Sequence, residues 1–149
     1  MTLSTNAVDG AVERLTPERD SFMERTAAQA FETLERFCGN LVDYSPTTLQ
    51  LLDEWIDRMG RKGPLPGPAR AMVIAFLGQT FIHRHGGYWA TQRQGTQQSL
   101  GVVCPVEGTS GRERFIDVVA QVNRRLTHGI LDSLAFFYLS ASVDLHGRS

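Results

Sequence analysis

Two histidines and a tyrosine flank a glycine pair at the end of the most apolar segment of the chain. His83 and His85 precede Gly86-Gly87, and Tyr88 follows. Side chains of these types can hold a metal ion or move a proton. Two residues that are two apart project to nearly opposite sides of a helix, so this histidine pair cannot share one ion while the helix continues. We therefore expect no metal site, and a small enzyme or ligand pocket at His83, His85 and Tyr88 stays an alternative.

No serine or cysteine has the sequence context of a known nucleophile. Ser133 and Ser140 fall in helical patterns and Cys38 and Cys104 in apolar ones, outside any Gly-x-Ser-x-Gly motif. Gly60-Arg61-Lys62-Gly63 is followed by proline, not by the helix start of a phosphate-binding loop. We predict no catalytic residues and no cofactor. We also expect two free thiols, because a reducing compartment disfavours a disulfide.

Three acidic residues surround one tryptophan. Asp53, Glu54 and Asp57 fall within one predicted helix beside Trp55. A proton-exchanging carboxylate pair is one interpretation, but a solvated helix face is the commoner one. We therefore predict that these acids face solvent and that the surface around Trp55 contacts a partner.

The net charge of −1 conceals two oppositely charged halves. Residues 1–57 carry eleven acids and four arginines, or −7, whereas residues 58–149 carry five acids and eleven bases, or +6. Such asymmetry is typical of proteins with an anionic partner, although halves that pack together would neutralise each other. A nucleic-acid site would use Trp89 for base stacking. Its basic residues would be Arg61, Lys62, Arg84, Arg93, Arg124 and Arg125.

Three helices are predicted before the glycine pair. Thr16-Pro17 has the pattern of a helix start, and Ser45-Pro46 repeats it. Apolar residues at three- and four-residue spacing follow both starts. A third helix, at about 68–85, is apolar on most of its circumference, so we expect it at the buried centre of the fold. Gly78 in its interior would admit another backbone.

The pattern changes after the glycine pair. Two short segments, about 88–92 and 99–104, predict a small antiparallel hairpin. A fourth helix with Phe115 in its apolar stripe and a fifth from about Ile130 follow. The sequence therefore predicts a mostly helical α+β fold with about five helices around the buried central one.

The chain has the length of a single domain. We expect a flexible leader over residues 1–15, one globular domain over 16–143 and a polar tail over 144–149. The sequence has no run of the ~20 apolar residues that a membrane span needs. The first residues lack the pattern of a secretion signal, so we predict a cytoplasmic location and no membrane partner.

Three motifs occur in order between about residues 41 and 138. They are Asp43-Tyr44-Ser45-Pro46, then Phe76-Leu77-Gly78 with Gly86-Gly87-x-Trp89, then Arg125-Leu126-x-x-Gly129-x-x-Asp132-Ser133-Leu134-x-x-Phe137-Tyr138. Together they resemble a family of small bacterial domains with no assigned activity. The resemblance implies a compact α+β domain in a bacterial protein. In that family an acid usually follows the Leu-Gly pair, where this chain has Gln79, which argues against a catalytic carboxylate there.

These features favour a non-enzymatic protein-interaction domain of the adaptor, inhibitor or immunity type. It would bind another protein, or a second copy of itself as a homodimer, through exposed aromatic residues, the proline-rich loop over residues 60–68 or the hairpin edge. The alternatives are a nucleic-acid or phosphate-ligand binder and the small enzyme described above. The expected partner contacts are Trp55, Arg61, Lys62, Arg84, Trp89 and Arg93.

Overall fold

A computed structural model of the protein describes residues 11–146. Its elements, in chain order, are β1 (Ala11–Arg14), α1 (Pro17–Cys38), α2 (Pro46–Gly60), α3 (Gly67–His85), β2 (Tyr88–Gln94), β3 (Gln97–Pro105), β4 (Glu113–Ile116), α4 (Val118–His128), a 3₁₀ turn (Gly129–Asp132) and α5 (Leu134–Leu145). The predicted mostly helical α+β class is confirmed.

The predicted hairpin forms the middle of a four-stranded antiparallel sheet in the order β1-β2-β3-β4. β2 and β3 pair from Tyr88 opposite Val103 to Gln94 opposite Gln97, so the hairpin is longer than predicted. β1 pairs with β2 and β4 pairs with β3. The sequence pattern does not predict these edge strands, because each has only four residues. Along these segments the hairpin edges that we expected to bind a partner are already paired.

Helix α3 lies at the centre of the core, as predicted. Every residue from Val73 to Phe81 is buried, and α3 packs against α1, β3 and α4. Phe76 meets Phe31 of α1 edge-on, with 5.5 Å between ring centroids. Gly78 differs from its prediction: the indole ring of Trp89, not another backbone, fills the space that a Cβ of residue 78 would need.

Both predicted helix starts are confirmed. The Thr16 hydroxyl accepts the backbone N–H of Arg19 at 3.3 Å, and the Ser45 hydroxyl accepts that of Thr48 at 3.2 Å. Each bond satisfies one of the N–H groups that lack a partner inside the first turn of a helix.

The last two helices start later than predicted. Asp117 caps α4, so Phe115 belongs to β4 and not to the helix. Gly129 ends α4 with a φ of 80°, a conformation that favours glycine. The 3₁₀ turn then takes up Ile130, and α5 begins only at Leu134.

The predicted leader is shorter than expected. Residues 1–10 lie outside the described residues. Ala11–Arg14 forms β1, and Leu15 is buried, with its N–H donating to the carbonyl of Trp89 at 3.1 Å. Pairing with β2 therefore makes residues 11–15 part of the domain.

The predicted tail also starts too early. Leu145 is the last residue of α5 and its side chain is fully buried. Its carbonyl accepts the N–H of Glu107 at 2.8 Å, which ties the end of the helix to the turn after β3. Residues 147–149 of the predicted tail lie outside the described residues.

Candidate functional site

A buried carboxylate holds the first turn of α5. Asp53, in the middle of α2, is 3% exposed. Its two oxygens accept the backbone N–H groups of Leu134 at 3.1 Å and Ala135 at 3.2 Å, and the Ser133 hydroxyl donates to it at 2.9 Å. N–H groups at a helix start have no partner inside the helix, so this carboxylate both satisfies them and fixes α5 to α2.

Arg125 of α4 neutralises Asp53. Its Nε donates to Asp53 Oδ1 at 2.7 Å, and its Nη2 donates to the Asp53 carbonyl at 3.0 Å and to Asp57 Oδ1 at 2.9 Å. Burial disfavours the Arg125 charge, but the hydrogen bonds to the two carboxylates outweigh burial and raise the pKa of the guanidinium. We call Asp53, Asp57, Arg125 and Ser133 the α5 anchor, because they join α2 and α4 to the start of α5.

The α5 anchor corrects two predictions. Of the three acids expected to face solvent, Asp53 is buried, whereas Glu54 and Asp57 are exposed. Arg125, expected in a nucleic-acid site, is 2% exposed and bound inside the protein. Sequence periodicity predicts which residues share a helix face, but it does not predict which residue from another helix contacts that face. Asp53 and Arg125 are 72 residues apart, so their ion pair has no local signal.

Helix α5 leaves an apolar face uncovered. Its inner side, including Leu134, Tyr138 and Leu145, is buried. Its outer side carries large apolar residues as well, next to Ser140 and Asp144, and a helix that is apolar on most of its circumference is normally enclosed. We call the exposed apolar side chains of the 3₁₀ turn and α5 the α5 strip. They are 47 to 89% exposed and comprise Ile130, Leu131, Phe136, Leu139 and Val143.

The charged groups nearest to the α5 strip along the chain are paired within the protein. His128 Nδ1 lies 2.8 Å from Asp132 Oδ2, just after α4. Arg114 lies 3.6 Å from Asp144, the one charged residue of α5. The strip is therefore an uncharged surface whose flanking charges already have partners.

The sequence pattern places these residues in the fifth helix but does not predict their exposure. Apolar residues at positions 136, 139 and 143 form one stripe, while positions 134, 138 and 145 form another. A helix that packs on one side needs only one stripe. This second stripe is the signal in the sequence that could have indicated the surface.

The three residues of the glycine junction turn towards different elements. His83 stacks on Tyr44 with 4.2 Å between ring centroids. Tyr88 lies under the guanidinium of Arg14 of β1, 4.5 Å from the ring centroid, and His85 turns towards α5. Residues two apart on a helix point to opposite sides, so His83 and His85 face different elements. Together with Tyr88 they therefore do not surround one ligand.

His85 connects the end of α3 to α5. Its Nε2 lies 3.1 Å from the Tyr138 hydroxyl and 3.0 Å from the Ser142 hydroxyl. Burial, with a smaller contribution from the charge of His146, lowers the pKa of His85. A serine beside an imidazole base can act as a nucleophile, but Ser142 is buried in the helix and shares Nε2 with Tyr138. These contacts therefore hold the C-terminal half of α5 against α3.

Both tryptophans predicted to contact a partner are buried. Trp55 is 7% exposed and lines a small internal space together with Leu34 of α1 and Met72 of α3. Trp89 is fully buried, and its Nε1 donates to Gln79 Oε1 at 2.6 Å. Their large rings fill the core, as is common for this residue type, so neither can stack on a base or touch a partner in this conformation.

The basic residues do not form one patch. Arg61 and Lys62 precede α3, and Arg84 lies near its other end, about 25 Å further along the helix axis. Arg84 donates to the Tyr44 carbonyl at 3.0 Å. Arg93 lies on β2 and Arg124 on α4, so the expected contacts are spread over separate elements.

An open cleft of about 570 Å³ lies beside the α5 anchor. Asp57, Arg61, Leu65, Arg125 and Leu126 are among the residues that line it. The arginine that reaches the cleft from the core is already paired with two carboxylates. The cleft therefore lacks the excess positive charge that recognition of a phosphate group requires.

The buried thiol, Cys104, has the chemistry of a structural cysteine. Cys38 and Cys104 are free. Burial raises the pKa of the Cys104 thiol to about 12, the opposite of what a nucleophile needs. Among residues 11–146, no group of three or more His, Cys, Asp or Glu side chains is arranged to hold a metal ion.

None of the individual helices described between residues 11 and 146 has both the length and the apolar character required to cross a bilayer. Only the pair Val118–Asp132 and Leu134–Leu145 together has the required length and apolar character, and the two segments are bent by 104° relative to each other.

Comparisons with protein-family models, with curated proteins and with solved structures find no match for the chain. The candidate site is therefore defined by its own geometry: an exposed apolar strip on a helix that Asp53 holds at one end and His85 at the other.

Proposed function

We propose that the protein is a non-enzymatic interaction domain that docks onto a protein partner through the α5 strip. The observation that carries this proposal is the exposure of five large apolar side chains on neighbouring turns of the chain. Soluble monomers rarely leave large apolar patches open to water, and such patches are typical of protein-binding surfaces.

The anchoring of α5 supports a docking role. The strip lies on a helix whose first turn is bonded to a buried carboxylate and whose last turns are bonded to His85. A surface held in one conformation loses less conformational entropy when it binds. The bonds from Asp53 and His85 thus hold α5 in the conformation in which the strip would bind.

A lipid surface is the other common partner of an apolar helix face. Helices that lie in a membrane interface usually carry lysine or arginine beside the apolar face, where they meet anionic lipids. Helix α5 contains no basic residue, and its single charge, Asp144, is acidic. This charge pattern favours a protein partner.

The two alternative functions lack a comparable observation. For a nucleic-acid site, Trp89 and Arg125 are buried, and Arg61 and Arg84 lie near opposite ends of α3. For an enzyme, the side chains of His83, His85 and Tyr88 make their contacts with separate elements.

Site-specific photo-crosslinking tests the proposed function. A photoreactive amino acid replaces Leu139 of the strip or, as a control, the exposed Gln29 of α1, in the cells that express the protein natively. We expect a discrete protein adduct from position 139 and none from position 29. The adduct should disappear with Phe136→Glu and persist with Phe22→Glu, because Phe22 is an exposed phenylalanine outside the strip.

An adduct with this dependence on position and on Phe136 supports docking through the strip. Equal yields from positions 139 and 29, or an adduct from position 139 that Phe136→Glu does not reduce, would contradict the proposed function. The control variant shows whether any new glutamate on the surface has the same effect.

A further inference from the structure

We infer that the occupant of the α5 strip is a second copy of the same chain, with the two α5 helices antiparallel across a two-fold axis near Leu139. This inference rests on the proposed function and names its partner. It follows from the area, the charge and the shape of the strip.

The area of the strip suits a two-fold contact. With side chains of this size and exposure, the strip presents on the order of 500 Å² of apolar surface. In a two-fold interface the same patch is contributed twice. Two strips in contact along their whole length would bury about 1,000 Å², which reaches the lower limit for a specific interface. This area requires Ile130 and Leu131 of the 3₁₀ turn to lie against the C-terminal end of α5 of the second copy.

The charge of the strip also favours a second copy. Any charge in a two-fold interface meets its own kind near the axis, and like charges in contact are costly. The strip contains no charged side chain, and the acids beside it, Asp132 and Asp144, are already paired with His128 and Arg114. A strongly charged partner would find no complementary group here, whereas a second copy meets no repulsion.

The order of side chains along α5 fits an antiparallel pair. Phe136 and Val143 lie at nearly equal distances on either side of Leu139 in the sequence. In an antiparallel pair centred there, Phe136 packs on Val143 of the second copy, and the two Leu139 side chains meet at the axis. The largest residue of the helix face then meets its smallest, and the two helix dipoles oppose each other.

The mass of the purified chain in solution is the first test. We expect light scattering to give twice the chain mass of 16.6 kDa, falling to that mass on dilution. Phe136→Glu should weaken association by about 30-fold or more, as expected for loss of a central interface residue. The matched control Phe22→Glu, which changes an exposed phenylalanine of α1, should leave the dissociation constant unchanged.

Phe136→Glu should not unfold the helix. Position 136 lies three residues after the cap Ser133, whose hydroxyl accepts the Phe136 N–H at 3.2 Å. A glutamate in the first turn of a helix is favoured by the helix dipole. Circular dichroism should therefore show a folded variant, so that a loss of association reports on the interface.

A cysteine at the axis is the second test. In a Cys38→Ser background, Leu139→Cys should form an intermolecular disulfide under mild oxidation, because both copies place this residue at the axis. Gln29→Cys, exposed on α1, should not. A chain that stays monomeric at every concentration, or equal cross-linking from both positions, would overturn the inference. If the strip still cross-links to a different protein in cells, the proposed function stands and only the second copy is excluded.

Discussion

Two helices of this domain are apolar on nearly every side, and the structure treats them differently. Helix α3 is enclosed from Val73 to Phe81, with no exposed residue in that stretch. Helix α5 is buried on one side and leaves Phe136, Leu139 and Val143 open to water on the other. An apolar helix is expected to be shielded from water, but its sequence does not show whether the same chain or another molecule shields it.

The two helices are also held by different forces. Close van der Waals packing dominates around α3, where the ring of Trp89 occupies the space beside Gly78. Polar contacts fix both ends of α5, through Asp53 at its start and His85 near its end. A helix covered on one side only has fewer packing contacts, so its position depends more on such bonds. We therefore expect α3 to be sensitive to side-chain volume and α5 to the loss of a charge.

The largest effect should come from Asp53→Asn. This change keeps the size of the side chain but removes the charge that faces Arg125, and it replaces one of the two oxygens that accept the first N–H groups of α5 with an amide nitrogen. Removing one partner of a buried ion pair costs about 3–5 kcal/mol, and here only the half-exposed Asp57 would still face the guanidinium. Urea unfolding at fixed protein concentration measures the loss.

Asp57→Asn is the matched control for Asp53→Asn. Asp57 contacts the same guanidinium, but its side chain is 48% exposed. Exposed ion pairs contribute at most about 1 kcal/mol, so we expect a small change in free energy of unfolding. Equal losses for the two variants would show that burial of Asp53 does not set the strength of the α5 anchor.

Gly78→Ala should have the next largest effect. A methyl group at position 78 would overlap the ring of Trp89, which is fixed by its own bond to Gln79. Overpacking of a dense core costs about 1–3 kcal/mol. Gly60→Ala at the end of α2 is the control, because nothing lies near its added methyl group. A loss from Gly78→Ala no greater than from the control would contradict the steric account of α3.

Much of the fold could be predicted because its signals are local. Thr16-Pro17 and Ser45-Pro46 mark helix starts within a few residues, and the length and apolar character of the third helix place it in the core. β1 could not be predicted in this way. It has four residues, and its position depends on pairing with a strand more than seventy residues later, as in Glu13 opposite Thr91.

The candidate site was harder to predict than the fold. Asp53 looks like any acid on an exposed helix until Arg125, 72 residues later, comes to lie against it. The strip was hidden for the opposite reason, since Phe136 and Leu139 look like core residues. The second apolar stripe of α5 is a local signal of an additional apolar face, but whether that face is enclosed depends on how many elements surround α5.

The smallest predicted effect concerns pH and the contact that joins the two helices. His85 lies at the end of α3, bonds Ser142 of α5 and faces His146, Glu107 and Arg84. Its folded-state pKa is below the ordinary value of 6.5, chiefly because of burial. Between the two pKa values the unfolded chain binds more protons, so stability should fall as pH drops below about 6.5.

In urea unfolding at pH 7.5 and 5.5, His85→Gln should lose less stability than the natural chain, because glutamine keeps a hydrogen-bonding side chain and cannot be protonated. An identical pH dependence for both would show that protonation of His85 does not destabilise the fold.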